Sequence, residues 1–266
     1  MQISVDGRTA YAYTGGKAFD PALPCVVFIH GALHDHSVWT LLARWAANHG
    51  HSVLAVDQPG HGRSAGPLLP DIEALADWTI ALLAAADVQH AALVGHSMGS
   101  LIALEATARA PEQIKRLVMI ATAYPMKVSD SLLATALDAP LQGINMVNAL
   151  SHSTTAAKPA YPGPGSWLHG ANLMLMRRVQ AAQHDANVFH HDFSVCNAYA
   201  NGLQAAAKVS CPATLVLGER DQMTSPKATR EIAAALKARV VMLPGGHSLM
   251  QEAPDGVLNA LRTALA

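Results

Sequence analysis

Gly95-His96-Ser97-Met98-Gly99 is the stretch on which the reading of this chain turns. It follows Ala91-Ala92-Leu93-Val94, a short apolar run of the kind that forms a buried strand. It leads into Ser100-Leu101-Ile102-Ala103-Leu104-Glu105-Ala106-Thr107-Ala108-Arg109, a helical pattern stopped by Pro111. A serine between two glycines at a strand-to-helix turn is the G-x-S-x-G elbow. The turn is so tight that its neighbours must be small, and the serine Oγ projects above the sheet. The first amides of the helix point to the same spot, where a developing negative charge would sit. The pentapeptide also occurs by chance, so its weight depends on the rest of the chain.

Working outward, strand and helix patterns alternate. Strand signals lie near residues 2–5, 9–14, 25–29, 52–56, 91–95, 115–121, 213–218 and 239–243, and helical patterns near 37–49, 71–86, 98–110, 226–237 and 250–265. The first two strands form a hairpin turning at Asp6-Gly7. The remaining alternation predicts an α/β fold with an eight-stranded, mostly parallel sheet covered by helices on both faces. The rhythm breaks between about 125 and 208, which is mostly helical in pattern and has the breaker cluster Lys158-Pro159-Ala160-Tyr161-Pro162-Gly163-Pro164-Gly165-Ser166 at its middle. Residues 1–124 and 209–266 are therefore assigned to a core domain, and 125–208 to a helical insertion after the sixth strand. Its methionines and aromatic residues suit a cap over a site at the carboxyl ends of the strands, where ligands bind in open α/β sheets. The alternative is a helical subdomain packed around its own small core.

Composition narrows the partners. The chain has 266 residues, 51% hydrophobic and only 14% charged, with a net charge of −1. There is no basic or acidic run, so neither nucleic acid nor an anionic membrane is an expected partner. Oligomeric state is left open. Cys25, Cys196 and Cys211 are odd in number and widely spaced, and are read as free thiols in a reducing compartment. The N-terminus lacks the basic and apolar regions of a signal peptide, and no apolar run is long enough to span a membrane, so a cytoplasmic location is expected.

A serine hydroxyl is a weak nucleophile until a base takes its proton and a third group orients that base. Ala213-Thr214-Leu215-Val216-Leu217-Gly218-Glu219-Arg220-Asp221 reads as a strand followed by a turn bearing carboxylates. Val240-Val241-Met242-Leu243-Pro244-Gly245-Gly246-His247-Ser248 reads as a strand ending in a glycine loop with one histidine. The order Ser97, Asp221, His247 is the one this architecture requires, and all three lie just past strand ends. Glu219 competes with Asp221, and spacing and the partner histidine favour Asp221. His34 and His36 bracket Asp35 with His30 nearby, which hints at metal ligands. No cysteine or further acid completes a set, so no metal and no cofactor are expected.

With these motifs in place the chain resembles the α/β-hydrolase superfamily, in particular its small carboxylesterase and enol-lactonase-like serine hydrolases. His30-Gly31-Ala32-Leu33 looks like the family's HG oxyanion loop after the third strand. Asp57-Gln58-Pro59-Gly60-His61-Gly62-Arg63-Ser64 looks like its D-x-x-G-x-G-x-S turn after the fourth, and Gly218-Glu219-Arg220-Asp221 its acid loop after the seventh. The resemblance implies Ser97 as nucleophile, His247 as general base and acid, and Asp221 as the group that orients it. The backbone amides of Met98 and Ala32 would form an oxyanion hole, with Leu33 as the alternative to Ala32. His30 is expected to fix the loop, and Asp57, His61 and Arg63 to be structural.

Family members that displace halide or open epoxides resemble one another in carrying aspartate at the elbow, so serine argues for acyl transfer. The expectation is hydrolysis of a small to medium, mostly apolar carboxylic ester. Lactone, thioester or carbon–carbon hydrolysis by the same residues, or a silent ligand-binding fold, are the alternatives. Leu33, Tyr124, Met126, Trp167 and Met174 are the candidate substrate contacts.

Overall fold

The computed structural model describes residues 1–154, 167–183 and 186–266; the breaker cluster 158–166 lies outside them. Eight strands form a single sheet: β1 (Gln2–Val5), β2 (Arg8–Tyr13), β3 (Cys25–Ile29), β4 (Ser52–Val56), β5 (Ala91–His96), β6 (Ile114–Ile120), β7 (Ala213–Gly218) and β8 (Arg239–Leu243). Their order is β1-β2-β4-β3-β5-β6-β7-β8. The β1–β2 and β2–β4 pairings are antiparallel, and every pairing from β4 to β8 is parallel. The inner strands β3, β4, β5 and β7 are buried at every position, because helices cover both faces and no side of them meets water.

The helices are α1 (Thr40–Ala47), α2 (Ile72–Ala85), α3 (Met98–Arg109), α4 (Asp130–Asp138), α5 (Pro140–Leu150), α6 (Leu168–Ala182), α7 (Val188–Ala198), α8 (Gly202–Ala206), α9 (Arg230–Ala235), α10 (Leu249–Glu252) and α11 (Pro254–Leu265). Alternate strand residues separate two cores. Val27, Ile29, Leu54, Leu93 and Leu215 pack under α2, α3, α8 and α9. Val26, Phe28, Val53, Val94 and Val216 pack under α1, α10 and α11. In α11 the buried Val257, Ala260 and Leu261 follow the helical period and form its sheet-facing stripe. The single helix expected over 250–265 is broken. Pro254 has no amide proton, and Ala253 before it takes φ −137, ψ 54, outside the helical region.

Between β6 and β7, helices α4 to α7 build a third core around Leu132, Ile144, Val147, Met176, Phe189 and Phe193. Leu33, from the loop after β3, inserts its fully buried side chain into this core. The boundary drawn at 208 is not a packing boundary. Val195, Cys196 and Tyr199 from the end of α7 and beyond, and Ala205 and Ala206 of α8, already pack in the first sheet core. No helix among the described residues is long and apolar enough to cross a membrane.

Candidate active site

The elbow between β5 and α3 is forced by sterics. Ser97 has φ 52 and ψ −121, a region that L-residues with a side chain rarely occupy. A Cβ on Gly95 would lie 2.1 Å from the Gly99 carbonyl oxygen, and one on Gly99 would lie 2.3 Å from that of Ile29. Glycine at both positions is therefore a packing requirement: the helix start is pressed against the end of β3. The Ser97 amide donates to the Ile120 carbonyl on β6 (2.9 Å), and the Ser100 amide donates to the Ser97 carbonyl (2.8 Å), which pins the turn on both sides.

Asp221 and His247 come together at the ends of β7 and β8. The His247 Nδ1–H donates to Asp221 Oδ2 at 2.9 Å. Asp221 Oδ1 accepts from the amides of Met223 and Thr224, both at 2.8 Å, and Oδ2 also accepts from the Thr224 hydroxyl at 2.7 Å. Burial pushes the Asp221 carboxyl up, but the His247 charge and hydrogen bond and the Thr224 donors outweigh it and hold the group ionised below its ordinary value. Glu219, the competing acid, is exposed. The loop carrying His247 is held by buried Glu252, which accepts from the Gly246 amide (2.5 Å), and by His96, whose Nε2 donates to the His247 carbonyl (3.0 Å). Gly218 allows β7 to approach this loop, since a Cβ there would lie 2.3 Å from the Gly246 carbonyl oxygen.

Ser97, His247 and Ala32 border one cavity of about 190 Å³ under the helices between β6 and β7. Among the described residues no hydrogen bond joins Ser97 Oγ to His247, and the amides of Ala32 and Met98 have no acceptor. Met98 leads α3, so its amide is one of the unpaired donors of a helix start. Apolar walls come from Met126, Leu132, Val147, Leu150, Met176 and Phe193.

Of the candidate substrate contacts, Met126 alone borders this cavity. Leu33 is turned into the third core, and its amide, the alternative oxyanion donor, donates to Asp192 Oδ2 at 2.8 Å. Tyr124 packs against Tyr199 and Gly202 and gives its hydroxyl proton to the Ala200 carbonyl (2.6 Å). Trp167 and Met174 are 56% and 62% exposed, and neither is among the described residues lining the cavity. On α6 it is Met176, two positions on from Met174 and on the opposite face, that turns inward.

His30 fixes its loop as expected. Its Nδ1 meets the Gly31 carbonyl (2.9 Å), its Nε2 accepts from the Gln58 amide (3.1 Å), and burial holds it neutral by lowering its pKa to about 4. Against the expectation that no further acid joins this cluster, Asp57 from the loop after β4 does: one ligand atom from each of Asp35, His36 and Asp57 lies within 4.8 Å of the others. Their carboxylates are engaged: Asp35 by Ser37 and Arg178, and Asp57 by the His36 ring and the Arg63 amide. They cross-brace the loops after β3 and β4. Thr224, Glu252 and Asp192 were not anticipated. Only Thr224 has a local signal, an Asp-x-x-Thr turn in which the side chain caps its own backbone.

The chain is 24% identical over 274 residues to an (E)-2-((N-methylformamido)methylene)succinate hydrolase of Acinetobacter baylyi, covering 100% of this chain and 97% of that protein. It is 32% identical over 244 residues to a pimeloyl-[acyl-carrier protein] methyl ester esterase of Chromobacterium violaceum, covering 82% and 84% of the two chains. The enol-lactonase from Burkholderia xenovorans LB400 superposes with a TM-score of 0.83 at 21% identity, covering 100% of this chain and 99% of its own. Residues 26–260 match the alpha/beta hydrolase family, and the chain is a hydrolase belonging to that family.

Proposed function

We propose that the chain hydrolyses carboxylic esters of small to medium, mostly apolar acyl groups through an acyl-enzyme formed on Ser97. The observation that carries this reading is a histidine ring tied at Nδ1 to a buried carboxylate, bordering the same cavity as a serine held on a strained elbow. Asp221 fixes the tautomer that leaves His247 Nε2 bare, so that nitrogen takes the Ser97 proton as Oγ attacks the ester carbonyl. The carbonyl oxygen becomes an oxyanion that accepts from the Ala32 and Met98 amides, each donor lowering the barrier by about 3 kcal/mol. The imidazolium, stabilised by Asp221, then protonates the leaving alcohol, and a water activated the same way releases the acid.

The apolar cavity walls support the acyl preference, and the methyl ester named for the relative from Chromobacterium violaceum supports an ester over other acyl substrates. Helices α4 to α7, within residues 125–208, serve in this reading as a cap that shields the acyl group from water. Replacing Ser97 by alanine removes the nucleophile. Turnover of an activated ester and labelling by a fluorophosphonate should both vanish, and either one persisting at the wild-type level overturns the assignment. A panel of esters, lactones and thioesters of varied acyl length, run on the wild type and this variant, identifies the bond cleaved.

A further inference from the structure

Asp192 is a buried carboxylate that the reaction above does not use. It sits on α7 at 1% exposure, and its partners Leu33 and His61 lie 159 and 131 residues away in sequence. Oδ2 accepts from the Leu33 amide at 2.8 Å and lies 3.0 Å from Nε2 of His61, itself 2% exposed, while Oδ1 lies 3.1 Å from Nδ1 of His191. Burying a charge costs several kcal/mol even after relaxation, and an ion pair in such a place is weak evidence of a stabilising role. The geometry gives it another role. Leu33 has φ 59, a left-handed conformation that a bulky side chain resists. The peptide joining Ala32 to Leu33 is planar, so a bond to the Leu33 amide sets the orientation of the whole unit next to the Ala32 amide. On its other side the loop is locked by His30 and Gln58, and Gly31 is pressed so close to His96 that a Cβ would lie 2.9 Å from its Nδ1.

We infer that Asp192, with His61, is a positioning residue: it holds the Ala32–Leu33 peptide so that the Ala32 amide is preset for the oxyanion, tying transition-state binding to the seating of α7. The inference rests on the proposed serine mechanism. Burial would raise the Asp192 carboxyl, but the His61 charge and the hydrogen bonds from His191, His61 and Leu33 outweigh it and keep the group an acceptor. Leu33 is thereby withdrawn from the oxyanion hole, which leaves Ala32 as the loop's donor.

Two neutral double variants separate positioning from packing. His61→Gln with Asp192→Asn keeps an acceptor for the Leu33 amide, whereas His61→Leu with Asp192→Leu fills the space without one and strands no charge. Both are compared with the wild type for kcat, KM, inhibition by a trifluoromethyl ketone that adds Ser97 to form a tetrahedral oxyanion, and inhibition by the product acid. The Gln/Asn pair should stay within about fivefold of wild type in every reading. The Leu/Leu pair should lose about 100-fold in kcat and in ketone affinity, the scale of one oxyanion donor, with product-acid affinity within about threefold. Equal losses in both pairs, an unchanged kcat in the Leu/Leu pair, or a product-acid affinity that falls with the ketone's overturns the inference. Should the Leu/Leu pair fail to fold, a large loss in the Gln/Asn pair still overturns it. A wild type that no fluorophosphonate labels at Ser97 overturns the serine mechanism itself.

Discussion

Ser97 stores backbone strain that the fold would be better without, and two substitutions expose it. At φ 52, ψ −121 the residue occupies a conformation available to glycine but costing other residues about 1–3 kcal/mol. Ser97→Ala removes the hydroxyl and keeps the strain, and Ser97→Gly removes both. The hydroxyl makes no hydrogen bond among the described residues, so its loss is common to both variants and cancels. Glycine loosens the unfolded chain by about 0.4–1 kcal/mol relative to alanine. The glycine variant should therefore be more stable than the alanine variant by about 1 kcal/mol. For a chain of this size that is a rise in melting temperature of about 2–4 °C. Differential scanning calorimetry on both variants, with urea unfolding to confirm the order, makes the comparison. On the proposed mechanism neither variant turns over an ester, so the gain in stability comes at the expense of activity. A glycine variant that melts at or below the alanine variant refutes the strain argument, whatever its activity.

Two further outcomes follow from the buried polar groups. Thr224→Val keeps the side-chain shape and the amide that donates to Asp221 Oδ1, but deletes the hydroxyl on Oδ2 and 3.1 Å from His247 Nδ1. One lost hydrogen bond to a buried charged group should lower kcat/KM by about tenfold and the melting temperature by several degrees; a steady-state assay that finds no change removes Thr224 from the account. Stability should also fall as pH drops below about 6.5. Burial keeps His30, His34 and His96 neutral in the folded chain, while the unfolded chain protonates them near pH 6.5, so acid favours unfolding. His30 alone, lowered to about 4, accounts for roughly 3 kcal/mol by pH 4. His61, raised by Asp192, acts in the opposite sense, contributing below pH 6.5 and losing its contribution as pH rises. Below about pH 4 the depressed Asp192 and Asp221 add to the acid loss. Urea unfolding at pH 7, 5.5 and 4.5 measures the slope, and a flat profile contradicts the burial of neutral imidazoles.

Much of this was legible in the chain because the constraints are local. Apolar runs of five or six residues separated by amphipathic helices specify a parallel sheet. Gly95 and Gly99 around Ser97 specify the elbow, since a Cβ at either would strike backbone within a few residues or on the adjoining strand. Asp221 and His247 could be read because each directly follows a strand, and neighbouring parallel strands bring their ends together. The inner surface of the inserted helices could not be read in this way. Met174 and Met176 have the same chemistry two residues apart on α6, and only packing against α5 and α7 turns Met176 inward and leaves Met174 in water. Leu33 looked like a cavity wall until the third core claimed its side chain and Asp192 its amide. His61 and Asp192 stand 131 residues apart with no pattern joining them. The sequence by itself determined the sheet, the elbow and the placing of Ser97, Asp221 and His247 just past strand ends, because steric limits on short turns act within a few residues. Tertiary structure alone decided which side chains shape the cavity and which buried carboxylate holds the loop after β3, because those depend on contacts between segments that meet only when the inserted helices pack over the sheet.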